Sequence, residues 1–157
     1  MRLTTLCYIE RDGKYLMLYR CKKENDANKG KWIGIGGGFA DGESPEECLL
    51  REVNEETGLT LTKWKYRGIV TFSSDKWETE YMHLFTASEF SGELARDCSE
   101  GDLAWIEKDR LSALPMWAGD RIFLDLLEKE EKFFSLKLSY TGEALSYAHL
   151  NGEKLPL

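Results

Sequence analysis

Apolar and polar positions alternate along most of the chain with the two-residue period of extended strands. Residues 2–10 (RLTTLCYIE) and 14–20 (KYLMLYR) flank the turn Arg11-Asp12-Gly13 and predict an opening β-hairpin. Residues 21–30 (CKKENDANKG) are polar and loop-like, and KWIGIGGG predicts a short strand running into a glycine-rich loop. Residues 59–73 and 78–88 alternate as two long antiparallel strands about Ser74-Asp75-Lys76. A polar loop over 89–99 leads to a strand over 100–107, with Glu100 at the junction, and 108–114 reads as a short helix. A further helix over about 119–131 carries Ile122, Phe123, Leu126 and Leu127 on one side. Residues 132–140 and 143–150 close the chain as a hairpin about Thr141-Gly142.

One stretch departs from this strand period. Between the glycines and Leu59 the apolar spacing turns helical, and the helix is punctuated at both ends. Ser44 is an N-cap, Pro45 suits the first helical position, and Glu47 completes a Ser-x-x-Glu capping box. Gly58 supplies the stop, so the spacing predicts a helix over 45–57. Wound at about 100° per residue, Leu49, Leu50, Val53 and Thr57 share a core-facing side. Glu52, Glu55 and Glu56 share the opposite side at i, i+3 and i+4, with Arg51 at its border and in reach of Glu55. Like charges so spaced cost a helix roughly 0.2–0.5 kcal/mol per pair. A hard cation offsets that cost, because Mg²⁺ takes a few carboxylates and completes its octahedron with water and substrate phosphate.

An acidic helix face alone is usually a solvated surface. The full spacing is more specific: Gly37, five residues, Glu43, seven residues, Arg51-Glu52-Val53, one residue, Glu55-Glu56, one residue, Gly58-Leu59. Its seven glycine, glutamate and arginine positions alone would coincide by chance less than about once in ten million placements. The pattern resembles the Nudix box with every signature position filled. The resemblance implies an α/β (α+β) fold, an α/β/α sandwich with a mixed central sheet and flanking antiparallel hairpins. It implies hydrolysis of a nucleoside diphosphate linked to a further group X, with Mg²⁺ as cofactor and Mn²⁺ as a substitute. Glu52, Glu55 and Glu56 match the family's metal-binding acids, to which Gly37 of the loop is added. Arg51 matches the arginine that orients the acids, and Glu43 a loop acid that supports the loop and helix. Glu55 and Glu100 are both candidates for the base that takes a proton from water.

Beyond the box, DLAWIEKDRLSALPMWAGDRIFLDLL and the EKFF that follows are similar to the MutT-type branch, whose members act on oxidised purine nucleoside triphosphates. That likeness implies that Trp117 stacks on a purine and Asp120 reads its edge, with Phe72 and Ile33 in the nucleotide site, while Lys22 and Lys23 of the polar loop are candidates to reach the substrate phosphates. An indole face gives a base about 1–3 kcal/mol of stacking. The chain departs from the branch at two positions: Gly119 stands where the pattern has a first acid, and Ile33 where it has an amide. Within the family, 8-oxo-dGTP-like purines are the expected X. ADP-ribose, a dinucleoside polyphosphate, or nucleotide sensing without catalysis are the alternatives.

Composition adds bounds. At 157 residues the chain suits a single domain, 1–157. The formal charge of −7 disfavours binding to nucleic-acid polymers or anionic membranes, yet leaves a nucleotide substrate open because a bound cation inverts the local sign. The four cysteines, Cys7, Cys21, Cys48 and Cys98, have no metal or redox spacing and read as reduced thiols of a cytoplasmic protein, monomer or homodimer. His83 lies within a strand and reads as structural.

Overall fold

The computed structural model describes residues 1–95 and 98–157. In chain order these form β1 (Arg2–Arg11), β2 (Lys14–Arg20), β3 (Trp32–Ile33), β4 (Ile35–Gly38), α1 (Pro45–Thr57), β5 (Thr60–Ser74) and β6 (Glu80–Ser91). They continue as β7 (Gly101–Glu107), a 3-10 turn (Lys108–Ala113), α2 (Ala118–Glu128), β8 (Phe134–Thr141), β9 (Ala144–Leu150) and β10 (Glu153–Lys154). The strands lie in the order β10-β9-β8-β5-β6-β1-β2-β3, with β4 added to β1 and β7 to β2. The sheet is mixed, since β1 runs parallel to β6 and β5 parallel to β8.

Strand β1 is where the sheet forks. Along Arg2–Ile9 it pairs with β6, along Thr4–Cys7 it pairs on its other edge with β4, and only Glu10 and Arg11 pair with β2. The opening hairpin therefore exists at its tip alone. Beyond it β2 leaves to pair with β3 and β7. Alternation identifies a strand but not its neighbour, so the partners of β1 were not readable locally.

The period of two sorts the central side chains into two cores. Leu6 and Tyr8 of β1, Met17 of β2 and Leu84 of β6 pack with Phe123 and Leu127 of α2. Their neighbours Cys7, Ile9, Leu18 and Phe85 pack with Leu49 and Val53 of α1. One helix thus covers each face, the α/β/α sandwich expected from the box.

Several boundaries move. The segment KWIGIGGG forms two strands, β3 and β4, paired to different partners. The short helix is a 3-10 turn, and α2 stops at Glu128, because Glu130 takes a left-handed φ of 53°. The polar loop is shorter than 89–99 because β6 runs through Ser91, and positions 96 and 97 lie outside the described residues. The two-residue β10 was not anticipated. No helix among the described residues is long and apolar enough to cross a membrane.

Candidate active site

Helix α1 forms as its punctuation predicts. The Ser44 hydroxyl accepts from the Glu47 amide at 3.1 Å, the Glu47 carboxylate accepts from the Ser44 amide at 3.0 Å, and Gly58 caps the other end at φ 79°. The helix buries Cys48, Leu49, Val53 and Thr57, while Leu50 is only partly covered. The opposite side, with Glu52, Glu55 and Glu56, is turned toward the glycine loop.

Arg51 is the hub of that side. Its Nε and Nη2 donate to the two oxygens of Glu43 at 2.7 and 2.8 Å, a bidentate fork of the strong charge-assisted kind. Nη1 donates to Glu52 at 2.8 Å and Glu55 at 3.1 Å, and Nη2 also reaches the Gly38 carbonyl at 3.0 Å. Glu43 accepts in addition from the Ala40 amide at 2.7 Å. The Arg51 guanidinium and that amide hold the Glu43 carboxyl down at about 2, and the carboxylates in turn push the Arg51 pKa up. Loop and helix are therefore locked together through one side chain. Gly37 packs against the result: a Cβ there would lie 2.4 Å from the Glu52 carboxyl carbon. Only a residue without a side chain lets the backbone approach that carboxylate.

Glu56 lies deeper. Burial first, then repulsion from Glu52 and Glu100, push its carboxyl up to about 8 against the opposing charge of Arg20. Its Oε2 is buried without a hydrogen-bond partner among the described residues. Glu100 comes from the start of the β7 region and is held by Lys23 at 2.9 Å and by the Arg20 guanidinium at 3.1 Å. Among the described residues no three His, Cys, Asp or Glu side chains stand at ligating spacing. Arg51 accounts for this, since it draws Glu52 and Glu55 to itself. The donor set nonetheless fits a hard divalent cation: carboxylate oxygens, a mutual repulsion that raises Glu56, and an orphaned buried oxygen. A cation would replace the proton on Glu56 and take Glu52 and Glu55 from Arg51.

A cavity of about 310 Å³ leads away from this acidic end. Arg20, Gly36 and Gly37 line it near the acids, and Ile33, Phe72, Trp117 and Asp120 line it at the other end. Trp117 is buried to 5% exposure, donates from Nε1 to Asn28 Oδ1 at 2.8 Å, and meets Phe72 and Tyr140 edge to face at 5.3 and 4.8 Å. It belongs both to the core beneath α2 and to the cavity wall. Asp120, in the first turn of α2, is buried enough that its carboxyl rises to about 7. The glycine at 119 also has a reason: a Cβ there would come within 2.5 Å of Leu138 and 2.6 Å of the Tyr140 hydroxyl. A carboxylate side chain at 119 has no room in this core.

The structure thus gathers Glu43, Arg51, Glu52, Glu55 and Gly37 about one guanidinium, with Glu56 and Glu100 near enough to repel each other, and sets Ile33, Phe72, Trp117 and Asp120 with Gly37 in the cavity wall. Lys23 sits beside Glu100, whereas Lys22 is held by the Cys98 carbonyl at 2.7 Å. His83 packs on Phe39 and Tyr66 away from the cavity, and burial lowers its pKa. Trp77 is partly buried and lines the cavity as well. Three further residues were missed. Arg20 bridges Glu100 and Asp26, at 3.1 and 2.9 Å, and Asp26 accepts from the Asn28 amide at 3.1 Å. The Arg20–Glu100 pair joins positions 80 apart in the chain, and no local spacing signals it.

The sequence profile described as "NUDIX domain" matches residues 1–127. The Uncharacterized Nudix hydrolase YvcI of Bacillus subtilis (strain 168) is 30% identical over 153 residues, 94% of this chain and 93% of that protein. The oxidized purine nucleoside triphosphate hydrolase of Danio rerio is 32% identical over 134 residues, 84% of this chain and 83% of that protein. Among solved structures, the mMutator MutT protein from Bacillus halodurans aligns with a TM-score of 0.84 and 28% identity over 98% of this chain and 99% of that one.

Proposed function

The chain belongs to the NUDIX domain family, and from that premise we propose that it is a Mg²⁺-dependent nucleoside triphosphate pyrophosphohydrolase acting on purine substrates of the 8-oxo-dGTP kind. One observation carries the reading. A single cavity is lined by Gly37, which packs on the box acid Glu52, and by Arg20, which pairs with Glu100, together with an indole, a phenyl ring and a buried carboxyl. A polyphosphate fits beside Gly37 and Arg20, and a planar base against the rings.

Glu52, Glu55 and Glu56, with the Gly37 carbonyl, are the groups that would hold the metal, Mn²⁺ serving in place of Mg²⁺. When bound, the ion supplies positive charge to the polyphosphate and acidifies a water. Arg51 positions the helix acids through Glu43 and the loop backbone. Glu55 and Glu100 are the carboxylates available to accept the proton of the attacking water. Water adds across one phosphoanhydride, whose P–O bond breaks, and the products are a nucleoside monophosphate and pyrophosphate. Lys23, beside Glu100, faces the phosphate end. Trp117 and Phe72 hold the base, Ile33 contributes apolar surface, and Asp120 meets the base edge. The relative from Danio rerio, named for oxidized purine nucleoside triphosphates, supports the substrate class. We further assign the chain to one domain over 1–157 and, from its free thiols, to the reducing cytoplasm.

The test is product release from a panel of dGTP, 8-oxo-dGTP, other triphosphates, ADP-ribose and a dinucleoside polyphosphate, with and without Mg²⁺. Pyrophosphate from 8-oxo-dGTP well above dGTP, dependent on the metal, is the expected result. Preference for ADP-ribose or a dinucleotide would retain the box chemistry and overturn the base pocket.

A further inference from the structure

The base end of the cavity lacks two groups that the MutT-type pattern uses, since Ile33 is apolar and Gly119 has no side chain. Another polar group of this chain faces the same space. Asn28, in the loop between β2 and β3, lines the cavity with Trp117 and Asp120. Its amide orientation is fixed by chemistry. The indole Nε1–H is a donor only, so the Asn28 atom 2.8 Å from it must be the carbonyl oxygen. The Nδ2 group then points the other way, and it makes no hydrogen bond to a described residue.

The residue is also held in place. The Asn28 amide nitrogen donates to Asp26 Oδ1 at 3.1 Å, Asp26 Oδ2 accepts from Arg20 Nε at 2.9 Å, and Arg20 pairs with Glu100 at 3.1 Å. The amide is thus ordered before any ligand arrives, which reduces the entropy cost of using it. Its surroundings suit a planar base, because the Trp117 and Phe72 rings and the buried Asp120 carboxyl line the cavity with it.

Resting on the nucleotide reading above, we infer that Asn28 is a specificity residue that reads the nucleobase edge, donating from Nδ2 to a ring carbonyl oxygen. An asparagine with both amide atoms free reads adenine by accepting and donating together. Here Trp117 occupies the oxygen, so the donor side is left, and that side suits a 6-oxopurine and disfavours a 6-aminopurine. Asp120, whose burial keeps it largely protonated below about 7, can add a second donor to the same oxygen or accept from a ring N–H.

The experiment uses dITP and dATP, which differ at the purine 6-position and N1, with kcat/KM measured for wild type, Asn28→Asp and Asn28→Ala. Asn28→Asp keeps an oxygen toward Trp117 and exchanges the donor for an acceptor at nearly constant shape. Wild type is expected to prefer dITP by about 10- to 100-fold. Asn28→Asp should lower that ratio at least about tenfold and Asn28→Ala should bring it toward unity. Melting temperature and Mg²⁺ dependence, followed alongside, show that fold and acids persist. A dITP-to-dATP ratio unmoved by both substitutions, in an enzyme that releases pyrophosphate, overturns the role of Asn28 and leaves the nucleotide reading standing. Wild type that releases pyrophosphate from neither substrate overturns both.

Discussion

Replacing Glu56 by Gln removes an ionisable group from the buried end of the site at nearly constant volume. The folded protein raises that carboxyl from 4.5 to about 8, with burial the first cause and Glu52 and Glu100 the next. Between those two values the folded protein holds a proton that the unfolded chain has released. Stability from this group is therefore fully present below about 4.5 and is lost progressively as pH rises to about 8. The interval, 8 − 4.5, corresponds to about 5 kcal/mol as an upper bound at roughly 1.4 kcal/mol per unit. Residual exposure and relaxation around the carboxylate reduce this to about 2–4 kcal/mol, roughly two to four fifths of the bound. Glu56→Gln abolishes the loss. Urea denaturation followed by tryptophan fluorescence, in chelator at pH 5, 7 and 9, gives the difference between the two proteins at each pH. The variant should gain on wild type steadily as pH rises. Added Mg²⁺ should stabilise wild type at pH 9, where the cation takes the place of the proton, and stabilise the variant much less. Turnover of the variant should fall by orders of magnitude with the fold intact. A stability difference that stays flat with pH, or a folded variant that hydrolyses substrate at nearly the wild-type rate, refutes the placement of Glu56 at the centre of the acid cluster.

Other substitutions test other contacts. Gly37→Ala puts a methyl group against the Glu52 carboxyl, so kcat should fall about 100-fold with an unchanged circular dichroism spectrum. Arg51→Lys keeps the charge but loses the fork to Glu43; differential scanning calorimetry should record a melting temperature lower by about 2–4 °C per kcal/mol lost, together with weaker Mg²⁺ activation. Trp117→Leu removes the stacking surface, and KM should rise about 10- to 100-fold, with Trp117→Phe in between. An unchanged KM in steady-state kinetics would confine Trp117 to the core.

The chemistry-bearing end of the molecule was legible because it is local. Capping, acid spacing and the glycine approach all fall within residues 37–59, and helical geometry alone carries Glu52, Glu55 and Glu56 to one face. What was not legible depends on contacts distant in sequence. Strand β1 alternates like any strand, yet its neighbours are β6 and β4 for most of its length. Arg20 ends an apolar strand without any motif, and its roles at Glu100 and Asp26 follow from how two loops meet. Likewise Gly119 looked like a missing acid, and the side chains of Leu138 and Tyr140 from β8 show why an acid cannot stand there.

The fork at β1 divides the cavity by how readily its walls open. Along Thr4–Cys7 strand β1 is laddered on both edges and feeds alternate side chains to both cores, so the amides there are expected to exchange with solvent only on global unfolding. The glycine strand β4 and the acids packed on it share that protection. The segment from Cys21 to Lys31 has no strand ladder before Trp32; turn hydrogen bonds and the side-chain ties Arg20–Asp26, Lys22–Cys98, Lys23–Glu100 and Asn28–Trp117 order it, and ties of this kind open locally at less than the global cost. Hydrogen exchange would accordingly rank the two walls far apart. The wall that opens first is thus the loop carrying Asn28 and Lys23, and its opening leaves the α1 carboxylates in place.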